Sequence, residues 1–133
     1  MRTYDPASLV PIDPTSLAWA LAWARRLAGD VPTEGGAWPL HSLHDEEWVA
    51  WLRVTAFEVS GTLYYRPHAA AAAVVRSNPA WATKLSIAGV YQEGRTPEEI
   101  AAAILAAGSW IDDTIYRLSG LNPTTGRTLW PAF

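Results

Sequence analysis

Three groups of side chains carry residue types that could do chemistry. His41, His44, Asp45 and Glu47 fall within a short stretch, and on a helix His44 and Glu47 would share a face. Such a set is the kind a metal-dependent hydrolase uses. Its spacing matches no established zinc pattern, however, and consecutive acids at 45–47 suit the first turn of a helix, where the helix dipole favours them. His68, beside Pro67, reads as a structural hydrogen-bonding histidine rather than a base. Asp112 and Asp113 resemble an acidic metal motif, but no further ligand stands at a matching distance, and apolar periodicity around them describes a helix with an exposed acidic edge. Gly35-Gly36 and the run GVYQEGR lack the glycine and lysine arrangement that wraps phosphate, and no G-x-S-x-G turn presents a nucleophilic serine. The chain is therefore expected to be non-enzymatic, with no catalytic residue, metal or cofactor.

Composition narrows the remaining classes. The 133 residues are half hydrophobic and only 17% charged, enough for one core and too apolar for general disorder. Ten basic against thirteen acidic residues give a net charge of -3, which does not provide the basic face of a freestanding nucleic-acid binder. With no cysteine there is no disulfide framework and no thiol chemistry. Prolines interrupt the N-terminus where a signal peptide needs an apolar centre, and no apolar run reaches the roughly 18–20 residues that span a bilayer. A soluble, intracellular protein with no membrane partner is expected.

The elements follow from caps and periodicity. Pro6 and Pro11 make residues 1–12 an extended arm. Asp13 and Pro14 read as the cap and first residue of a helix whose apolar run, Leu17 to Ala28, stops at Gly29. That helix has little polar face, so it is either central to the core or packed on a second chain. A loop from Asp30 to His41 holds Trp38 as its apolar anchor. Ser42 and Asp45 resemble a capping box for a second helix, in which Trp48, Trp51, Leu52, Thr55 and Val59 share a face, and which should reach about Tyr64. Pro67 opens a short alanine helix or a kinked continuation that stops before Pro79, and Ala82 to Gln92 reads as a strand pair or extended loop. Thr96, Pro97 and Glu99 start a last helix whose Ile100, Ile104, Ala107, Ile111, Ile115 and Leu118 trace one face up to Gly120, with Asp113 and Arg117 able to pair on its outer side. The expected fold is mainly α: a small bundle of about four helices in residues 13–120, with a short β-hairpin or extended loop, an N-terminal arm at 1–12 and a C-terminal arm at 121–133.

Eight tryptophans exceed what one compact core commonly uses, and Trp38 and Trp130 fall in a loop and a tail. The C-terminal Leu129, Trp130, Pro131 and Phe133 make an apolar tip that needs cover. The order of elements then becomes informative. A tryptophan-bearing helix leading to YYRPHAAAAAVVRS, a loop with LSIAGVYQEG, and a helix opened by TPEEIAAAIL together resemble the head-to-tail connector (adaptor) proteins of long-tailed bacteriophages, over about Glu46 to Leu118. The most particular part is the tyrosine, Arg66, Pro67, His68 run followed by a small-residue helix.

The resemblance implies a structural virion protein at the head-tail junction, made in the host cytoplasm. It implies a ring of identical copies, commonly twelve, that binds the portal protein above and a tail or stopper protein below. DNA would pass through the lumen without sequence-specific binding, as the mild negative charge permits. By position in the family, Leu129, Trp130, Pro131 and Phe133 would form the portal-binding arm, and Trp19, Trp23, Arg66, Ala70 and Ala73 are candidates for subunit contacts. Rival readings are a helical protein-binding module, regulator or inhibitor, using a Trp-rich surface, and a metal-dependent hydrolase on His41, His44 and Glu47. A DNA-reading helix-turn-helix fits poorly, because its candidate recognition helix, Ala69 to Arg76, is alanine with one arginine.

Overall fold

The computed structural model describes residues 1–39, 41–78 and 96–120, and within them the chain is mainly helical. Helix α1 covers Leu17–Ala28, α2 Asp45–Thr55, α3 Pro67–Ser77, α4 Pro97–Ala107 and α5 Ser109–Ser119, with one antiparallel hairpin of strands β1 (Phe57–Val59) and β2 (Thr62–Tyr64). Helix α3 is the centre of the bundle. It packs against α1, α2 and α4, and its alanines at 70, 71 and 72 let those neighbours approach closely. Trp19, Ala20 and Ala24 from α1, Trp48 and Leu52 from α2, Val74 and Val75 from α3 and Ile100, Ile104, Ile111 and Ile115 from α4 and α5 complete one core. No helix among the described residues is long and apolar enough to cross a membrane.

The caps show where the chain departs from expectation. Asp13 does not start α1. Its carboxylate accepts from the Thr15 N–H at 3.1 Å and its carbonyl from the Ser16 N–H at 2.9 Å, closing a separate turn. Ser16 is the cap instead, its hydroxyl oxygen accepting from the Trp19 N–H, and Gly29 ends α1 in the left-handed region at φ 72. The box expected at Ser42 and Asp45 lies two residues further on. His44 is the cap, and its N–H donates to Glu47 Oε1 at 3.2 Å, while Ser42 is buried. Asp45, Glu46 and Glu47 do occupy the first turn.

Helix α2 stops at Thr55 rather than near Tyr64. The stretch beyond it is rich in β-branched and aromatic residues, and Ser60 and Gly61, both at positive φ (51 and 82), supply the two-residue turn that suits a twisted hairpin. Phe57 then pairs with Tyr64 across the strands, their rings stacked at 5.8 Å, and Tyr116 of α5 closes on Phe57 at 5.6 Å. The hairpin thus stands at 57–64. The extended stretch expected at Ala82 to Gln92 lies outside the described residues.

The single last helix is in fact two. Thr96 and Glu99 form the expected capping box, with the Glu99 N–H on Thr96 Oγ1 at 3.2 Å. At Gly108 the chain breaks, because α3 passes directly beneath: a Cβ there would overlap His68 Cβ and sit 2.8 Å from His68 Cγ. The break turns α5, so Ile111 and Ile115 stay buried while Ala107 is exposed and Leu118 is 60% exposed. Asp113 and Arg117 are both exposed, and no ion pair joins them.

Residues 1–12 form an arm with one short 3-10 turn, Pro6–Leu9, capped by the Asp5 carboxylate. The arm folds back on the body. Met1 C=O accepts from the Asp45 N–H at 2.8 Å, and Leu9 is buried with its carbonyl accepting from Trp23 Nε1 at 3.1 Å. The expected C-terminal arm, 121–133, lies outside the described residues.

Gly108→Ala is expected to lower stability by about 1–3 kcal/mol, since the added methyl forces α3 and α5 apart. Gly35→Ala, with nothing within 4 Å of the added carbon, should change it by less than about 0.5 kcal/mol. Thermal unfolding of both variants checks this, and equal melting temperatures would contradict the reading of Gly108.

Candidate functional site: two ion-pair nodes and a docked arm

The polar chemistry of the described residues gathers at two nodes. The first is built around Arg25, on α1 and with no solvent exposure. Gly29 reverses the chain after α1 and brings Asp30, also fully buried, back under the helix end, where the Asp30 N–H donates to Arg25 C=O at 2.8 Å. Arg25 Nη1 donates to Asp30 Oδ2 at 2.6 Å and Nη2 to Asp45 Oδ1 at 2.7 Å. Asp30 Oδ2 also accepts from Trp48 Nε1 at 2.8 Å and from the Leu43 N–H at 3.2 Å. The Trp38 ring lies 4.9 Å from the guanidinium carbon, a cation–π contact that anchors the 30–44 loop.

One cation thus faces two carboxylates, and the surplus negative charge is met by N–H donors. Asp45 takes its second donor from the arm, the Thr3 N–H at 2.8 Å. Burial pushes the Asp45 carboxyl up, but the hydrogen bonds from Arg25 and Thr3 and the arginine charge outweigh it, so Asp45 titrates below its ordinary range. Arg25 Nε and Asp30 Oδ1 are buried without a hydrogen-bond partner among the described residues, so the node is held chiefly by its two short ion pairs.

The second node joins the start of α3 to α5. Arg66 Nε and Nη2 donate to Asp112 Oδ1 and Oδ2 at 2.8 and 2.9 Å, a bidentate pair. His68, 1% exposed, has Nε2 at 3.0 Å from Asp112 Oδ2, close enough for an ion pair but without hydrogen-bond alignment. Burial pushes Asp112 up, and the Arg66 hydrogen bonds with the adjacent His68 and the two charges more than reverse it, holding the carboxyl far below its ordinary value. The same pairing raises Arg66. Asp112 is therefore a half-buried brace, not part of an exposed acidic edge; only Asp113 is exposed.

The residues singled out from sequence divide as follows. Trp19 and Ala70 lie inside the chain's own core, at 1% and 0% exposure, while Trp23 and Ala73 are partly buried. Trp23 meets the edge of Trp110 at 5.3 Å, and Arg66 is engaged within the chain by Asp112. None of the six described tryptophans is exposed: their abundance is accounted for by the core, by ring pairs and by the Arg25 contact. His44 caps α2, Asp45 serves Arg25, and His41 joins neither node; among the described residues no three His, Asp or Glu side chains cluster to hold a metal. Leu129, Trp130, Pro131 and Phe133 lie outside the described residues. A shallow cavity of about 190 Å³ lies between arm and α1, lined by Ser8, Val10, Pro11, Asp13, Ser16, Ala18 and Trp19.

Sequence reasoning missed Arg25 and Asp30. A faint signal existed: Arg25 and Arg26 stand in a helix otherwise composed of Leu, Ala and Trp, where any inward arginine needs an acid. The chain matches no model of a protein family, no characterised protein and no solved structure.

Asp30→Ala, which leaves Arg25 buried without its closest partner, is expected to cost about 3–5 kcal/mol. Asp113→Asn, on the exposed edge, should stay within about 0.5 kcal/mol. Urea unfolding separates them, and equal midpoints would contradict the node. Asp112 predicts an acid limb. Its folded-state pKa lies below its unfolded value of about 3.9, so its contribution is complete above that pH and is lost as pH falls through the folded value. Asp112→Asn should be less stable than the parent at neutral pH, and the difference should shrink as pH drops below about 4. A constant difference across that range would contradict the assignment.

Proposed function

We propose that this protein is a non-enzymatic virion component, a head-to-tail connector whose copies assemble into a ring between portal and tail and continue the DNA channel. The observation that carries the reading is the Tyr65, Arg66, Pro67, His68 run with its alanine helix, on which the resemblance chiefly rests. In the fold this run opens the central helix, Pro67 at its first position and Arg66 and His68 facing Asp112. A rigid protomer braced in this way suits a part that transmits contact between larger assemblies. The polar groups of both nodes join one element to another, and the large hydrophobics left exposed among the described residues are Met1, Val10 and Ile12 on the arm, Leu63 on the hairpin, and Val54 and Leu118 in the last turns of α2 and α5. A monomeric module with a Trp-rich surface gains less support, since the described tryptophans face inward.

The C-terminal Leu129, Trp130, Pro131 and Phe133 would seat on the portal, each anchor individually weak and strengthened by its neighbours in the ring. Deleting residues 122–133 is expected to leave the melting temperature within about 2 °C of the parent, as for a small surface change, and to abolish co-sedimentation with a portal oligomer. Undiminished binding by the truncated chain would remove that role from the segment.

A further inference from the structure

We infer that residues 1–9 are an exchangeable strap, and that in the assembled protein the strap of one copy docks on the Asp45 and Trp23 sites of the next. This inference rests on the self-assembly proposed above.

The strap is held at two points by contacts that another copy can supply unchanged. At one, the Asp45 N–H donates to Met1 C=O and the Thr3 N–H to Asp45 Oδ1, each at 2.8 Å. At the other, Trp23 Nε1 donates to Leu9 C=O, and Leu9 is the one buried residue of the short turn. The strap's own three hydrogen-bonding groups, Met1 C=O, Thr3 N–H and Leu9 C=O, are all backbone, so the docking is indifferent to which copy provides them. Residues 10–13, between Leu9 and the turn whose Pro14 C=O accepts from the Tyr65 N–H at 2.8 Å, reach about 14 Å when extended, enough to cross to an abutting protomer.

The direction of exchange is set by what the closed form leaves wet. Of the six large hydrophobics exposed among the described residues, Met1, Val10 and Ile12 belong to the strap and its linker, at 81%, 68% and 44% exposure. In the closed protomer Val10, Pro11 and Ile12 face water. When residues 10–13 bridge two copies, Val10 and Ile12 lie between their bodies and are covered, while the strap's three hydrogen bonds and the Pro14 bond to the Tyr65 N–H are kept. Exchange of an identical element is a low-cost route to association for this reason. It also gives a neighbour a share in the Arg25 node, because Asp45 is the residue that Arg25 and Thr3 both bind.

The chain has no cysteine, so Thr3→Cys with Glu46→Cys places the only two thiols on the strap and beside its docking residue. Native mass spectrometry of the reduced double variant first establishes its assembly, and oxidation then reports which chains are joined, with each single variant as control. Exchange predicts covalent products of two or more chains from the assembled protein, and single-chain closure after dilution below the assembly range. An intact oligomer yielding only single-chain closure, or no cross-link, overturns the exchange and leaves the connector reading standing. A protein monomeric at every concentration overturns both. Val10→Ser with Ile12→Ser is expected to weaken assembly about tenfold or more, from the apolar area no longer covered. Unchanged assembly by that folded variant would also sink the inference.

Discussion

A guanidinium shut away from water cannot shed its charge, so every group near Arg25 is constrained to answer it. Asp30 can reach it only if α1 ends at Gly29 in the left-handed turn, and Asp45 only if α2 begins beneath the end of α1. Trp48 donates its indole N–H to the shared Asp30 oxygen, which fixes the rotation of α2 about its own axis. Trp38 stacks on the cation and draws the Gly/Pro loop over it, and Thr3 completes the shell from the arm. Helix ends, loop and arm thus converge on one charge. Ion pairs of this kind add little to net stability compared with an apolar replacement, but breaking one is severe. The node's consequence is geometric: it rejects arrangements of α1 and α2 that would leave the cation alone.

The other half of the bundle obeys a size constraint. Alanines along α3 admit α1, α2 and α4 at short range, and where α3 sets the buried His68 against the α4–α5 junction there is room only for Gly108. That break redirects α5 so that Asp112 meets Arg66 at the entry to α3. The second ion pair therefore depends on the glycine, and the hairpin depends on the second pair through Tyr116, which α5 lays against Phe57. Both nodes thus spend their polar side chains on joining one element to another.

Much of this was legible in local chemistry. The alanine helix after Pro67, the Thr96 box and the glycine stops at 29 and 120 each rest on one turn of chain, so the residues themselves disclose them. What was misread involved competition between neighbours or contacts across the fold. Asp13 and Ser16 are both good caps three residues apart, and the one that closes its own turn yields the helix to the other. Trp48 to Val59 satisfies helical spacing, yet Ser60-Gly61 offers a hairpin turn that wins once Tyr116 covers Phe57. The single helix read from 96 to 120 breaks at Gly108 because His68, forty residues earlier, lies against it. Arg66 and Asp112, 46 residues apart, have no local signature at all. The tryptophan count suggested a surface, while the six described ones are interior or paired, places that only contacts across the fold decide.

The most direct test of the central role of Arg25 is hydrogen exchange at the Trp48 indole N–H, followed by nuclear magnetic resonance. This proton lies between Trp48 and Asp30 at the middle of the node, and the account predicts that it exchanges only when the whole domain unfolds, at the rate of the slowest core amides. Exchange orders of magnitude faster than those amides would show that the node opens on its own, and would contradict the claim that the fold is organised around it.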